Sequence, residues 1–215
     1  YLLGLINDIL DLSRIERGKM SIRQEVFDFQ EMIKSLAAIS SAQAQERRQD
    51  FGIRVSGDFD QIYAGDELRL KQILLNVLSN AHKYTPDGGR VLMEVFSNPA
   101  ANGITMMKFA VSDNGAGIEP EYLEKIFEPF CQGSNASGST GSGLGLAITQ
   151  NLVHLMNGSI TVSSTYGKGS CFTVELPLKR VEGAGFPAKN TQVVGDRDLR
   201  ILLVDDDAAV CEHAS

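Results

Sequence analysis

Two carboxamides, an amine and a phenol fall at Asn76, Asn80, Lys83 and Tyr84. Steps of three and four residues place all of them on one helical face, at about 100° per residue. An amide oxygen can serve Mg²⁺ when phosphate oxygens and water complete its shell. A lysine can set a point charge on a phosphate. Taken alone, the same face could be plain solvated surface. His82, in the same run, points about 100° away and reads as a surface or packing residue. Two further segments could contribute chemistry. In DNGAGI, Asp113–Ile118, the carboxylate of Asp113 offers an acceptor to an amine, and Gly115 and Gly117 let backbone come close to a flat ligand. The 6-amino group of adenine suits that acceptor, whereas the carbonyl of guanine would meet it with a lone pair. In isolation this is equally an Asp-Asn-Gly turn. In GSGLGLAI, Gly141, Gly143 and Gly145 free backbone N–H groups to meet phosphates at the start of a helix. By itself such a triplet is weak evidence.

The elements that must position these groups follow from the apolar pattern. Residues 66–84 form the clearest helix, with Ile73, Leu74, Val77, Leu78 and Ala81 inward and Pro86 as its stop. Residues 1–17 make an amphipathic helix on Leu2, Leu5, Ile9 and Leu12, widened by Ile6 and Ile15. Its face is too apolar to stand alone and calls for a partner. Helices are also expected over 30–48, after Pro120, and over 143–156 up to Asn157-Gly158. Strands are expected at Phe51–Ser56, Arg90–Ser97, Ile104–Ser112, Ser159–Ser164 and Cys171–Leu178. Residues 131–142 read as a flexible loop, and IFEPF, Ile126–Phe130, as core packing. This order predicts an α/β sandwich: a mixed β-sheet with helices on one face, preceded by one helix of a truncated bundle. Residues 180–198 read as a linker, and Arg200–Val204 as a short strand ending in Asp205, Asp206 and Asp207.

Composition narrows the classes. The chain has 215 residues, 43% of them hydrophobic and 22% charged, as in a folded globular protein. A net charge of −7 argues against nucleic-acid binding through bulk charge. Cys131, Cys171 and Cys211, and His82, His154 and His213, have no metal or disulfide spacing. A reducing compartment is the simplest reading. The chain opens on Tyr1 rather than Met and is expected to be part of something longer.

The motifs occur in a specific order. NVLSNAHKYT, DNGAGI, IFEPF, GSGLGLAI and YGKGSCFTVELP together resemble the N box and the successive glycine and phenylalanine boxes of the catalytic ATP-binding domain of sensor histidine kinases, in the GHKL ATPase superfamily. The resemblance implies that Asn80 ligates Mg²⁺ with Asn76 beside it, and that Lys83 and Tyr84 lie near phosphate and ribose. It further implies that Asp113 reads the adenine amine while Gly115 and Gly117 shape its pocket. Residues 131–142 would form a lid, and Gly141, Gly143, Leu144 and Gly145 would contact the nucleotide. Asn76 and Lys83 are the expected catalytic positions.

LINDILDLSRIERGKM resembles the second helix of the family's dimerisation and phosphotransfer bundle, and ILLVDDD the first strand of a receiver domain, with Asp205 and Asp206 as its acidic pair. The implied domains are 1–19, part of the bundle; 20–179, the ATP-binding domain; 180–198, a linker; and 199–215, the start of a receiver. The parent would be a hybrid kinase, homodimeric, with this portion cytoplasmic. It would act on a histidine of a bundle helix from the same or the partner protomer, for relay to a receiver or response regulator. No histidine here lies in the family's acceptor motif.

Two departures bear on mechanism. From Cys131 to Thr149 there is no basic residue, although family lids often carry one. The position where hydrolytic relatives carry a glutamate base is Asn76, a neutral amide that cannot act as one. That favours a kinase over an ATPase of the gyrase, chaperone or mismatch-repair type. The remaining alternative is a non-catalytic nucleotide sensor.

Overall fold

The structure, a computed structural model, describes residues 2–57, 62–131, 142–181 and 201–203. An eight-stranded mixed sheet runs through it, made of β1 (Glu25–Asp28), β2 (Asp50–Ser56), β3 (Ile62–Gly65), β4 (Arg90–Pro99), β5 (Ile104–Asp113), β6 (Ser159–Thr165), β7 (Gly169–Arg180) and β8 (Ile201–Leu203). The order is β1-β3-β7-β5-β4-β2-β8, with β6 pairing β7 off this path. β2 runs parallel to β4 and β8, and the other pairs are antiparallel. Two strands, β1 and β3, have only four residues each, too few to show an alternation that separates strand from loop.

Register explains why one face is apolar. Val55, Val95, Phe109, Val174 and Ile160 are cross-strand neighbours in a single row, and Ile53, Met93, Val111, Phe172 and Val162 form the next. All ten belong to the main hydrophobic core or pack on it. Because side chains alternate along a strand, the intervening residues face the other way, and there Arg54 pairs with Glu94.

Against the apolar face lie α2 (Phe29–Glu46), α3 (Glu67–Tyr84) and α5 (Gly145–Leu155). α2 begins where Asp28 accepts from the N–H of Glu31, and α3 where Asp66 accepts from that of Arg69. Both are N-caps that satisfy a free helix donor. Asp66 also accepts from the N–H of Arg23, which ties the segment before β1 to this corner. Leu70, Ile73, Leu74, Val77, Leu78 and Ala81 of α3 are buried, as the apolar spacing requires. α4 (Pro120–Leu123) is a single turn after Pro120.

The first helix, α1 (Leu2–Glu16), docks on this layer by one edge. Leu5, Leu12 and Ile15 pack on the core, whereas Ile6, Ile9 and Leu10 are 45–49% exposed. The apolar stripe therefore divides, and Ile9 does not share the environment of Leu5 and Leu12. β8 lies parallel on the outer edge of β2, with Ile53 opposite Ile201 and Val55 opposite Leu203. Asp205, Asp206 and Asp207 lie outside the described residues.

Candidate active site

α3 joins the two glycine-bearing motifs. At its C-terminal end the carbonyl of Tyr84 accepts from the N–H of Ala116, at 3.2 Å. Gly115 packs so closely there that a Cβ would sit 2.3 Å from the same oxygen. Two turns earlier, the Asn76 amide donates to the carbonyl of Gly145 and to the hydroxyl of Thr149, both at 3.3 Å. Eight residues at 1.5 Å each separate these ties by about 12 Å along the helix. Asn80 lies midway between them, half-exposed, and its amide has no hydrogen-bond partner among the described residues.

The turn after β5 is held on both sides. Asp113 Oδ1 accepts from the N–H of Gly115 at 2.8 Å. Burial pushes the Asp113 carboxyl above the ordinary range, while backbone hydrogen bonds from Gly115 and Ser170 pull the other way. Gly117, at φ 67°, has no room for a Cβ, which would lie 2.2 Å from the carbonyl of Thr165. The N–H of Gly167 reaches the carbonyl of Ala116 at 2.7 Å, and the N–H of Ile118 reaches Ser164 Oγ at 2.8 Å. The YGKG turn thus braces the DNGAGI turn. Ser164 was not a sequence candidate, because nothing in its local pattern marks it.

Lys83 Nζ lies 4.9 Å from the centroid of the Tyr84 ring, a cation–π distance. The ring itself is exposed. At the start of α5, Gly143 has φ 69° and its carbonyl accepts from the N–H of Phe130. Leu144 is fully buried, and its N–H goes to Ser142 Oγ at 3.2 Å. Any part Leu144 takes in binding is therefore confined to its backbone. Gly141 lies outside the described residues, as do residues 132–140 of the expected lid. Ile126 and Phe127 pack on the core, but Phe130 does not: it is 67% exposed with φ 64°. Its backbone pairing with Gly143 holds it at the rim.

His82 is buried and not a surface residue. Gln49 Nε2 donates to the carbonyls of His82 and Thr85, so Gln49 Oε1 is left to accept from His82 Nδ1, at 2.8 Å. That bond fixes the tautomer with the proton on Nδ1. Thr149 and Gln49 are the supporting residues that spacing could not reveal, since each contacts α3 from far away in sequence.

A divalent ion here would depend on few protein ligands. Among the described residues no group of three or more His, Cys, Asp or Glu could hold a metal. A site with one free amide, Asn80, beside the glycine-bearing turn at the start of α5 suits Mg²⁺, which keeps waters and takes much of its shell from phosphate oxygens. No helix of the described residues is long and apolar enough to cross a membrane.

Comparison with known proteins bears on the family and the fold. The family described as "Histidine kinase-, DNA gyrase B-, and HSP90-like ATPase" matches residues 65–180, more than half of the sequence. The chain belongs to this family. Within it, the relatives are hybrid sensor histidine kinases. The chain is 37% identical over 212 residues to the "Autoinducer 2 sensor kinase/phosphatase LuxQ" of Vibrio vulnificus, covering 96% of this chain and 25% of that protein. It is 36% identical over 207 residues to "Sensor protein TorS" of Escherichia coli, covering 95% and 22% respectively. The chain thus spans about a quarter of the length of these relatives. Among solved structures, full-length ShkA in complex with AMPPNP superposes with a TM-score of 0.71 at 32% identity, over 84% of this chain and 36% of that one. The catalytic domain of histidine kinase ThkA, at 24% identity and a TM-score of 0.60, covers 74% of this chain and 98% of that one and shows the same fold.

Proposed function

We propose that this domain binds Mg-ATP and transfers its γ-phosphate to a histidine on a bundle helix, for relay to a receiver aspartate. The observation that carries the reading is α3 itself. It ties the adenine-type turn at Tyr84 and the phosphate-type turn at Asn76, with Asn80 free between them. In this reading Asp113 accepts from the adenine amine, Gly115 and Gly117 admit the ring, and Lys83 and Tyr84 lie toward phosphate and ribose. The backbone at Gly143 and Gly145 meets the phosphates, and Asn80 holds Mg²⁺. The metal supplies charge neutralisation of the phosphates when bound.

Asn76 acts as a positioning residue, holding the start of α5 against α3. The transfer forms a P–N bond to an imidazole nitrogen as the bond from the γ-phosphorus to the bridging oxygen breaks, and ADP leaves with that oxygen. The attacking nitrogen uses its lone pair, and the proton on the other ring nitrogen passes to solvent or to a base outside this domain, since Asn76 cannot take it. The bundle histidine, the receiver partner and homodimerisation belong to the same proposal.

Radiolabelled ATP tests it. The chain alone should bind ATP and scarcely consume it. Adding a bundle that carries the family's acceptor helix should label that bundle, at a rate rising with its concentration. A His→Gln bundle should stay unlabelled. Brisk hydrolysis by the chain alone would point to the ATPase branch of the family, and label retained on His82, His154 or His213 would place the acceptor here.

A further inference from the structure

α1 does more than cover an apolar edge. Asp11 Oδ2 accepts from Arg69 Nη1 at 2.9 Å and from Gln72 Nε2 at 3.1 Å, and Arg69 also donates to Gln72 Oε1. The ion pair is largely covered, with side-chain exposures of 19% for Arg69 and 15% for Asp11. This anchor fixes the rotation of α1 about its axis. One helical turn earlier lies Asp8, and its Oδ2 accepts from Ser142 Oγ at 3.3 Å. The same hydroxyl oxygen accepts from the N–H of Leu144. One serine therefore connects α1 to the turn at which α5 begins.

We propose that Asp8 is a specificity residue: while α1 is docked, its carboxylate disfavours a triphosphate at the start of α5 relative to a diphosphate. The inference rests on the nucleotide reading above and adds to it a discrimination by charge. The positive end of a helix ordinarily attracts phosphate. Here a carboxylate already accepts from Ser142 of that turn. No Lys or Arg between Cys131 and Thr149 offsets it. A partly covered charge is screened less than one in open water, so each added phosphate charge is opposed.

By linkage the coupling runs both ways. ATP should loosen α1 more than ADP does, and freeing α1 should favour ATP. The Asp11 anchor holds Asp8 in place without itself contacting the turn.

Calorimetric titration with Mg-ATP and Mg-ADP at pH 8, where carboxylates are ionised, tests this on the full chain. Asp8→Asn keeps an acceptor for Ser142 and removes the charge. It should raise the ratio of ATP to ADP affinity about threefold to tenfold. Asp8→Glu should retain the wild-type ratio, and Asp11→Asn should shift it in the same direction as Asp8→Asn by releasing α1. Hydrogen exchange supplies a second readout: amides of α1 should exchange faster with a non-hydrolysable ATP analogue than with ADP, and this difference should vanish in Asp8→Asn. If both nucleotides bind and Asp8→Asn leaves the ratio unchanged, the charge role is wrong while the nucleotide site stands. If the wild-type chain binds neither nucleotide, the site reading fails and this inference falls with it.

Discussion

Asn76 and Gly145 are joined by a side-chain-to-backbone hydrogen bond of 3.3 Å across 69 residues of sequence. Thr149, one turn further along α5, takes the same amide and returns its own proton to the same carbonyl. α3 thereby fixes where α5 starts. Asn80, one turn on, makes no such tie among the described residues and is available to a ligand.

The two asparagines should separate on mutation. Asn76→Ala removes a structural bond and should lower stability by about 1–2 kcal/mol, with weaker ATP binding both with and without Mg²⁺. Asn80→Ala should cost under about 0.5 kcal/mol of stability yet make ATP affinity independent of Mg²⁺. Urea unfolding and titrations with and without the metal distinguish the two.

Gly115 has a different role from Gly88. A methyl on Gly115 would lie 2.3 Å from the Tyr84 carbonyl, so α3 and the turn after β5 must separate to admit it. Gly88 has φ 76° but open space around a Cβ. Gly88→Ala should cost on the order of 1 kcal/mol through backbone strain alone. Gly115→Ala should cost more and weaken nucleotide binding at least tenfold. Equal losses of affinity in the two variants would contradict this account.

The acid limb of stability should carry the signature of His82. Its pKa is lowered from 6.5 to about 4, first by burial and then by the neighbouring positive charge of Arg47. The unfolded chain takes up a proton near pH 6.5 that the folded chain refuses until about pH 4. Stability is thus fully present above pH 6.5 and falls as pH drops toward 4, by roughly 3 kcal/mol in all. His82→Leu should flatten the curve between pH 6.5 and 5. It should also lower stability at pH 7, because Gln49 Oε1 loses its partner. The Gln49→Leu/His82→Leu double variant should not recover that loss, because the carbonyls of residues 82 and 85 then lose the Gln49 amide donor. Urea unfolding at a series of pH values measures both effects.

The long elements were legible because their apolar faces are continuous. Ile73, Leu74, Val77, Leu78 and Ala81 leave little choice for α3, and the alternation along β4, β5 and β7 assigns their inner face. Asn76, Asn80, Lys83 and Tyr84 could be placed on one side of α3 by helix geometry alone. What that geometry could not say is which of them is engaged: Asn76 meets α5 because tertiary packing brings Gly145 and Thr149 beneath it. His82 was placed off the chemical face by the same rule, but its burial depends on Gln49, 33 residues away. The division of the α1 stripe depends on Asp11 meeting Arg69, 58 residues on. Charge pairs at such separations leave no periodic trace. Phe130 was misplaced for a related reason: an aromatic suggests core, but the backbone pairing with Gly143 imposes a positive φ and turns the ring outward.

Asp113 offers the sharpest test of the adenine assignment. Its carboxyl is held above the ordinary range by burial, so an unsatisfied carboxylate there is costly and an amine donor is welcome. A hydrogen bond to a charged group contributes about 1.5–3 kcal/mol, so Asp113→Ala should weaken ATP binding on the order of tenfold to a hundredfold. The wild-type chain should prefer ATP to GTP, since guanine presents a carbonyl where adenine presents its amine. That preference should shrink in Asp113→Ala, because the variant loses adenine affinity without gaining a contact to guanine. Competition between the two nucleotides for a fluorescent ATP analogue gives both affinities in one experiment. Equal affinity for ATP and GTP in the wild-type chain would remove Asp113 from base recognition, and unchanged ATP affinity in the variant would do the same.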